Sequence, residues 1–148
     1  MRKGLAFLFS AIVVVGCLNG CHLEKDATVQ DVEQVYIAYM EATKVDQSAA
    51  DQKYCHYELK EYMELDAQNK TNNLEYEILE WEKLSAQLWA VTSFVKTPAE
   101  PEGYQMTQYV GLVDGSYRVM KREFHIPSDL KQDIDFSKYI PTGDNILG

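Results

Sequence analysis

YQMTQYVGLVDGSYRVMKR, residues 104–122, decides the fold. Tyr104, Met106, Val110 and Leu112 fall on one side of a period-two pattern, the pattern of a strand with one face turned to a core. Asp114-Gly115 interrupts it, and this pair tolerates the positive φ angles of a tight hairpin turn. Ser116 to Arg122 then resumes, so the stretch reads as an antiparallel hairpin. Immediately upstream, Thr97 to Gly103 (TPAEPEG) is a loop, broken by two prolines and closed by glycine.

Two further strands precede that loop. From Ser85 to Lys96, Ala86, Leu88, Ala90 and Phe94 alternate with Gln87, Trp89, Val91, Ser93 and Val95, with one face more deeply buried than the other. Before it, Leu74, Tyr76 and Ile78 alternate with Glu75 and Glu77. Asp66 to Asn73 (DAQNKTNN) is a polar loop, and ahead of it the period becomes 3.6. Val29, Val32, Val35, Tyr36, Tyr39 and Met40 form the apolar face of a helix running to about Lys44, opened by Thr28-Val29-Gln30-Asp31 in the form of a capped start. Val45-Asp46-Gln47 breaks the pattern. Ser48 to Asp51 offers a second start, after which Cys55, Leu59, Tyr62 and Met63 repeat at helical spacing. The expected fold is α+β, with two N-terminal helices packed on a curved antiparallel meander sheet of about four strands. The expected boundaries are a domain over 28–122 and an irregular C-terminal tail over 123–148, which holds Pro127 and Pro141.

The chain has 148 residues, the scale of one domain, and carries 14 Lys plus Arg against 23 Asp plus Glu, a net charge of -9. Arg2 and Lys3 lie ahead of Cys17, so the part from Cys17 onward carries 12 against 23. Such a surface repels phosphate backbones, which argues against nucleic acid as a partner. It also repels anionic headgroups, so the folded domain is not expected to provide membrane attachment. Electrostatics favour a cationic protein partner, with plain solubility as the simpler meaning of the charge.

Membrane attachment is expected from the N-terminus. Met1-Arg2-Lys3 is basic, and Leu5 to Val15 is an apolar run shorter than the roughly 20 residues a spanning helix needs. It has the length of a signal-peptide core. Val14-Val15-Gly16-Cys17 resembles the bacterial lipobox, in which the Cys thiol takes a diacylglycerol as a thioether. Leu18-Asn19-Gly20-Cys21 is a second candidate, with Asn19 unusual at its position. Residues 1–16 thus read as a lipoprotein signal peptide and 17–27 as a lipidated cysteine with a polar tether. Cys17 is preferred over Cys21, and a plain secretory signal is the alternative. The resemblance implies a protein anchored in a bacterial cell envelope by acyl chains. No Asp follows either Cys, which under the sorting rule of enteric bacteria implies the outer membrane, facing the periplasm.

Three cysteines are present. If Cys17 carries the lipid, Cys21 and Cys55 remain, and an exported compartment permits a disulfide between them. If Cys21 carries it, Cys55 is alone, and a buried inert thiol is its plain reading. No C-x-x-C occurs, the three histidines are scattered, and no oxygen-rich loop is present, so no metal and no cofactor are expected. Candidates for proton transfer are His56, His125, Tyr36, Tyr39, Tyr76, Tyr104 and Tyr109. On a helix, His56 would point about 100° away from Cys55, a poor nucleophile pair. Catalytic residues are therefore not assigned.

The region from about Val29 to Lys121 resembles the NTF2-like, cystatin-like group of small α+β domains. The features that carry it are the long first helix ending in Lys44-Val45-Asp46, and the hairpin Leu112 to Val119, with Tyr117 where Trp is usual. The resemblance implies a cone whose sheet wraps a pocket beneath the helices. Tyr36, Tyr39, Met40, Trp89 and Tyr109 are the residues expected to line it. It implies no activity, because the fold hosts isomerases, dehydratases, transport adaptors and binding domains alike. The leading expectation is a non-enzymatic envelope lipoprotein that binds a protein partner or a small apolar ligand. A sharper form is an immunity or inhibitor protein neutralising a cationic enzyme. A pocket enzyme of the isomerase or hydratase kind and an assembly component are the other classes.

Overall fold

A computed structural model describes residues 23–66 and 73–139. The signal segment, Cys17, Cys21, most of the polar loop and the last residues of the tail lie outside the described residues. The element order is α1 (Leu23–Val45), α2 (Gln47–Tyr54), α3 (Lys60–Asp66), β1 (Glu75–Lys83), β2 (Leu88–Lys96), β3 (Tyr104–Val113) and β4 (Ser116–Met120), followed by a 3₁₀ turn at Glu123–His125. Among the described residues the chain is α+β, with three helices and a four-stranded antiparallel sheet in the order β1-β2-β3-β4.

α1 begins at Leu23, so Thr28 stands inside the helix rather than at its cap. Val32, Tyr36, Tyr39, Met40 and Thr43 are buried along one stripe, while Asp31, Gln34 and Glu41 face water. After Val45, Asp46 turns to an extended conformation, and its carboxylate accepts the Ala49 N–H at 3.0 Å. This caps α2 and satisfies one of its otherwise orphaned donors.

The expected second helix is two helices. α2 stops at Tyr54 because Cys55 goes extended, at ψ 152°, and forms a parallel bridge with Val119 of β4. The His56 N–H donates to the Val119 carbonyl at 2.9 Å. β4 is a sheet edge, and its unpaired carbonyl outcompetes one more turn of helix. Cys55 and His56 therefore lie between helices, and the apparent helical repeat through Cys55, Leu59, Tyr62 and Met63 spans two elements.

In β1 a bulge falls between Ile78 and Glu80, leaving Leu79 exposed. The extra residue shifts the alternation, so Tyr76, Ile78 and Trp81 all pack against the helix-side core. Trp81 meets the Tyr36 ring edge-on at 5.6 Å. The β3–β4 turn holds Asp114 at φ 50° and Gly115 at φ 77°, as the sequence pattern requires.

Both faces of the sheet are covered. Trp89, Val91, Val95, Met106, Val110 and Val119 join Tyr36, Tyr39 and Met40 in a core beneath the helices. Leu88, Ala90, Tyr109 and Met120 face the other way and pack with Ile126 and Leu130 of the tail. Phe136 and Tyr139 stand edge-on to Tyr109 at 5.5 and 6.0 Å. Glu82 fixes the tail by accepting from Lys138 Nζ at 2.7 Å and from the Tyr139 hydroxyl at 2.8 Å. Residues 126–139 hold no helix or strand and form the second layer of core.

Candidate functional site

Of the expected pocket-lining residues, the fold brings four together. Tyr36, Tyr39, Met40 and Trp89 are buried in one cluster between α1 and the sheet. Tyr109 lies on the opposite sheet face, beneath the tail, because it is one residue out of phase with Gln108 and Val110. The Tyr36 hydroxyl is bonded to Ser93 Oγ at 3.0 Å and donates to Gln108 Oε1 at 3.1 Å, and both of those residues are buried. Burial drives the Tyr36 phenol well above its ordinary pKa, and the Ser93 bond opposes this only in part.

A buried carboxylate nearby gathers three further titratable groups. Asp51 of α2 is 2% exposed. Its Oδ2 meets Lys121 Nζ at 3.0 Å, and its Oδ1 accepts from the Tyr39 hydroxyl at 3.3 Å and from Cys55 Sγ at 3.6 Å. Each element aims one group at this point. Lys121 continues the inward phase of Val119 past the end of β4, and Asp51 lies one helical turn before Cys55. Burial and the adjacent carboxylate push the Cys55 thiol up, so it stays protonated. Burial likewise raises Tyr39, with the neighbouring Cys55 and Asp51 adding to it. The carboxylate and ammonium neutralise each other, while the thiol and phenol act as donors. Together these bonds tie α1, α2 and β4 into one unit.

Cys55 carries a free thiol. Cys21, its expected disulfide partner, lies outside the described residues. His56 Nε2 is 3.6 Å from Glu58 Oε2, too long for a hydrogen bond. Tyr76 donates to Glu41 at 2.9 Å, and its phenol is pushed up to about 12 by desolvation and then by that bond. Tyr104 packs at the rim of the helix-side core. The seven proton-transfer candidates thus occupy several separate places rather than one.

The third feature is an aromatic surface. His125 is buried at 2%, with its ring 4.8 Å from Tyr57, 5.3 Å from Tyr62 and 4.3 Å from Phe124. Tyr62 and Phe124 are 5.0 Å apart and exposed at 36% and 43%. Leu59, at 52%, precedes α3 on the same segment as Tyr62, and the Arg122 guanidinium lies 5.7 Å from the Phe124 ring centre.

Sequence reasoning missed Asp51 and Lys121. A signal existed for both: each charged residue sits in phase with an apolar stripe, Asp51 with Cys55 and Lys121 with Val119. It missed the Tyr62–Phe124 pair because the partners are 62 positions apart in the numbering and neither segment is regular enough to place the other. Among the described residues no His, Cys, Asp and Glu are grouped to hold a metal, and no helix is long and apolar enough to cross a membrane. No family model matches the chain, and no curated protein and no solved structure matches it.

Proposed function

We propose that this protein is a lipid-anchored bacterial envelope protein whose domain, an NTF2-like cone in plan, docks a protein partner and performs no catalysis. One observation carries the reading: the chemistry-bearing side chains of the helix-side core are engaged with one another. Tyr36 is held by Ser93 and Gln108, and Asp51 takes Tyr39, Cys55 and Lys121. A general base needs contact with a substrate proton, and a nucleophilic thiol needs to ionise. Asp51 is instead occupied, and Cys55 is held protonated. The anchor reading rests on Val14-Val15-Gly16-Cys17 following a short apolar core.

The address is tested by palmitate labelling and fractionation of the wild type, Cys17→Ser, Cys21→Ser and the double variant. Loss of label and release from the membrane in Cys17→Ser supports Cys17 as the anchor. Loss only in Cys21→Ser moves the anchor to that residue, and unchanged labelling in the double variant refutes a lipid anchor.

A pocket enzyme of the isomerase or hydratase kind is the second reading, favoured by the concentration of titratable groups at Asp51. In that case the wild type turns over a carbonyl substrate, and Asp51→Asn abolishes that turnover in protein that still melts cooperatively. The docking reading expects no such turnover in the wild type.

A further inference from the structure

We infer that the surface formed by Leu59, Tyr62 and Phe124 is the docking face for a cationic polypeptide, which seats an apolar side chain on the two rings and places lysine or arginine against the acids around them. This rests on the docking reading above and names its surface and the chemistry of its partner.

Single exposed apolar residues are ordinary on any protein surface, whereas a joined group signals an interface. Here two exposed rings from distant segments are in contact, and both rest on the buried His125. The segments that carry them are tied to the sheet. The His56 N–H bonds Val119, and Lys121, one residue before Arg122, is clamped by Asp51. Rings held in place before binding lose little conformational entropy on docking, which is the property of interface anchors.

Charge selects the partner. In the two segments that carry the rings, Glu58, Glu61, Glu64 and Glu123 are exposed, against Lys60 and an Arg122 that lies over Phe124. A second copy of this chain would bring the same acids face to face, and an anionic bilayer would be repelled. A cationic segment meets neither penalty, and its association is accelerated by the field of the whole acidic protein.

Tyr39, in the second half of α1, bonds Asp51, which pairs with Lys121 just past the end of β4, and Phe124 follows three residues on.

The test places the photo-crosslinker p-benzoylphenylalanine at Tyr62 or Phe124 of the full chain in its own envelope, with Ile37 and Leu79 as exposed control positions. The expected result is an adduct from 62 and 124 at least ten-fold above the controls. The crosslinked peptide, read by mass spectrometry, carries net positive charge. Yield falls several-fold with added salt and in the surface variant Glu61→Lys/Glu64→Lys, whose melting curve is checked against the wild type. Adducts to lipid, to a second copy of the chain or to an acidic peptide overturn the inference. Adducts confined to Ile37 or Leu79 overturn this surface while leaving the docking reading intact. The absence of any adduct at all four positions counts against both.

Discussion

Replacing Asp51 by alanine tests whether the buried carboxylate holds the helices to the sheet. The substitution strips Lys121 of its partner at 3.0 Å, and takes an acceptor from Tyr39 at 3.3 Å and from Cys55 at 3.6 Å. Both charged side chains are almost wholly buried, at 10% and 3% exposure for Lys121 and Asp51. Water therefore cannot replace the lost carboxylate without opening the structure. Breaking a buried pair from one side costs about 3–5 kcal/mol, against roughly 5–15 kcal/mol for the total stability of a domain. For a chain of this size that is a fall in Tm of roughly 10–20 °C. The cost arises from the stranded charge, so removing both charges should recover most of it: Asp51→Leu with Lys121→Met is expected within about 1–2 kcal/mol of the wild type. The assay is urea unfolding, followed by far-UV circular dichroism and by the fluorescence of Trp81 and Trp89. The reasoning is refuted if Asp51→Ala costs under about 1 kcal/mol, or if the double variant is no more stable than the single one.

Tyr36→Phe deletes the hydroxyl between Ser93 and Gln108 and should cost about 1–3 kcal/mol, since both buried partners lose a bond; a change in urea midpoint below that range would mean the pair finds other partners. Ile126→Ala should cost about 2–5 kcal/mol by opening the tail-side core, and limited proteolysis should then cut first within residues 126–139; equal protection of tail and wild type argues that the layer is not structural. Stability should fall as pH rises above about 10, the ordinary tyrosine value, because Tyr36, Tyr39 and Tyr109 hold raised values when folded. The folded state then binds more protons than the unfolded one, so this contribution is complete below the unfolded value and is lost as pH climbs toward the raised ones. Each such group adds a slope of up to about 1.4 kcal/mol per pH unit. Thermal melts between pH 9 and 12 should show a shallower decline in Tyr36→Phe than in the wild type, and parallel curves would contradict the assignment.

Much of the fold was legible because its signals are local. The strand over 104–113, the Asp114-Gly115 turn and the break at Asp46 each depend on residues within a few positions of one another. A period of two or of 3.6, and a tolerance for positive φ, are properties of a short segment and survive without knowledge of its neighbours. The buried stripe of Tyr36, Tyr39 and Met40 on α1 was legible for the same reason, since an apolar stripe must face something.

What remained hidden depends on contacts between distant segments. Whether Cys55 continues a helix or leaves it is decided by the open edge of β4, which lies 64 positions further along the chain at Val119. Tyr109 reads from sequence as lining a pocket beneath the helices, but the tail folding over the far face of the sheet draws it into the other core. Asp51 and Lys121 share the phase of apolar stripes, but their pairing is fixed only when α2 and β4 meet, and the desolvation that makes them a fastening exists only once both are buried. Local sequence thus set the elements and the turn, through backbone geometry and hydrophobic phase. The tertiary structure alone decided the partners, because hydrogen bonding and burial are settled by competition among segments that local pattern does not bring together.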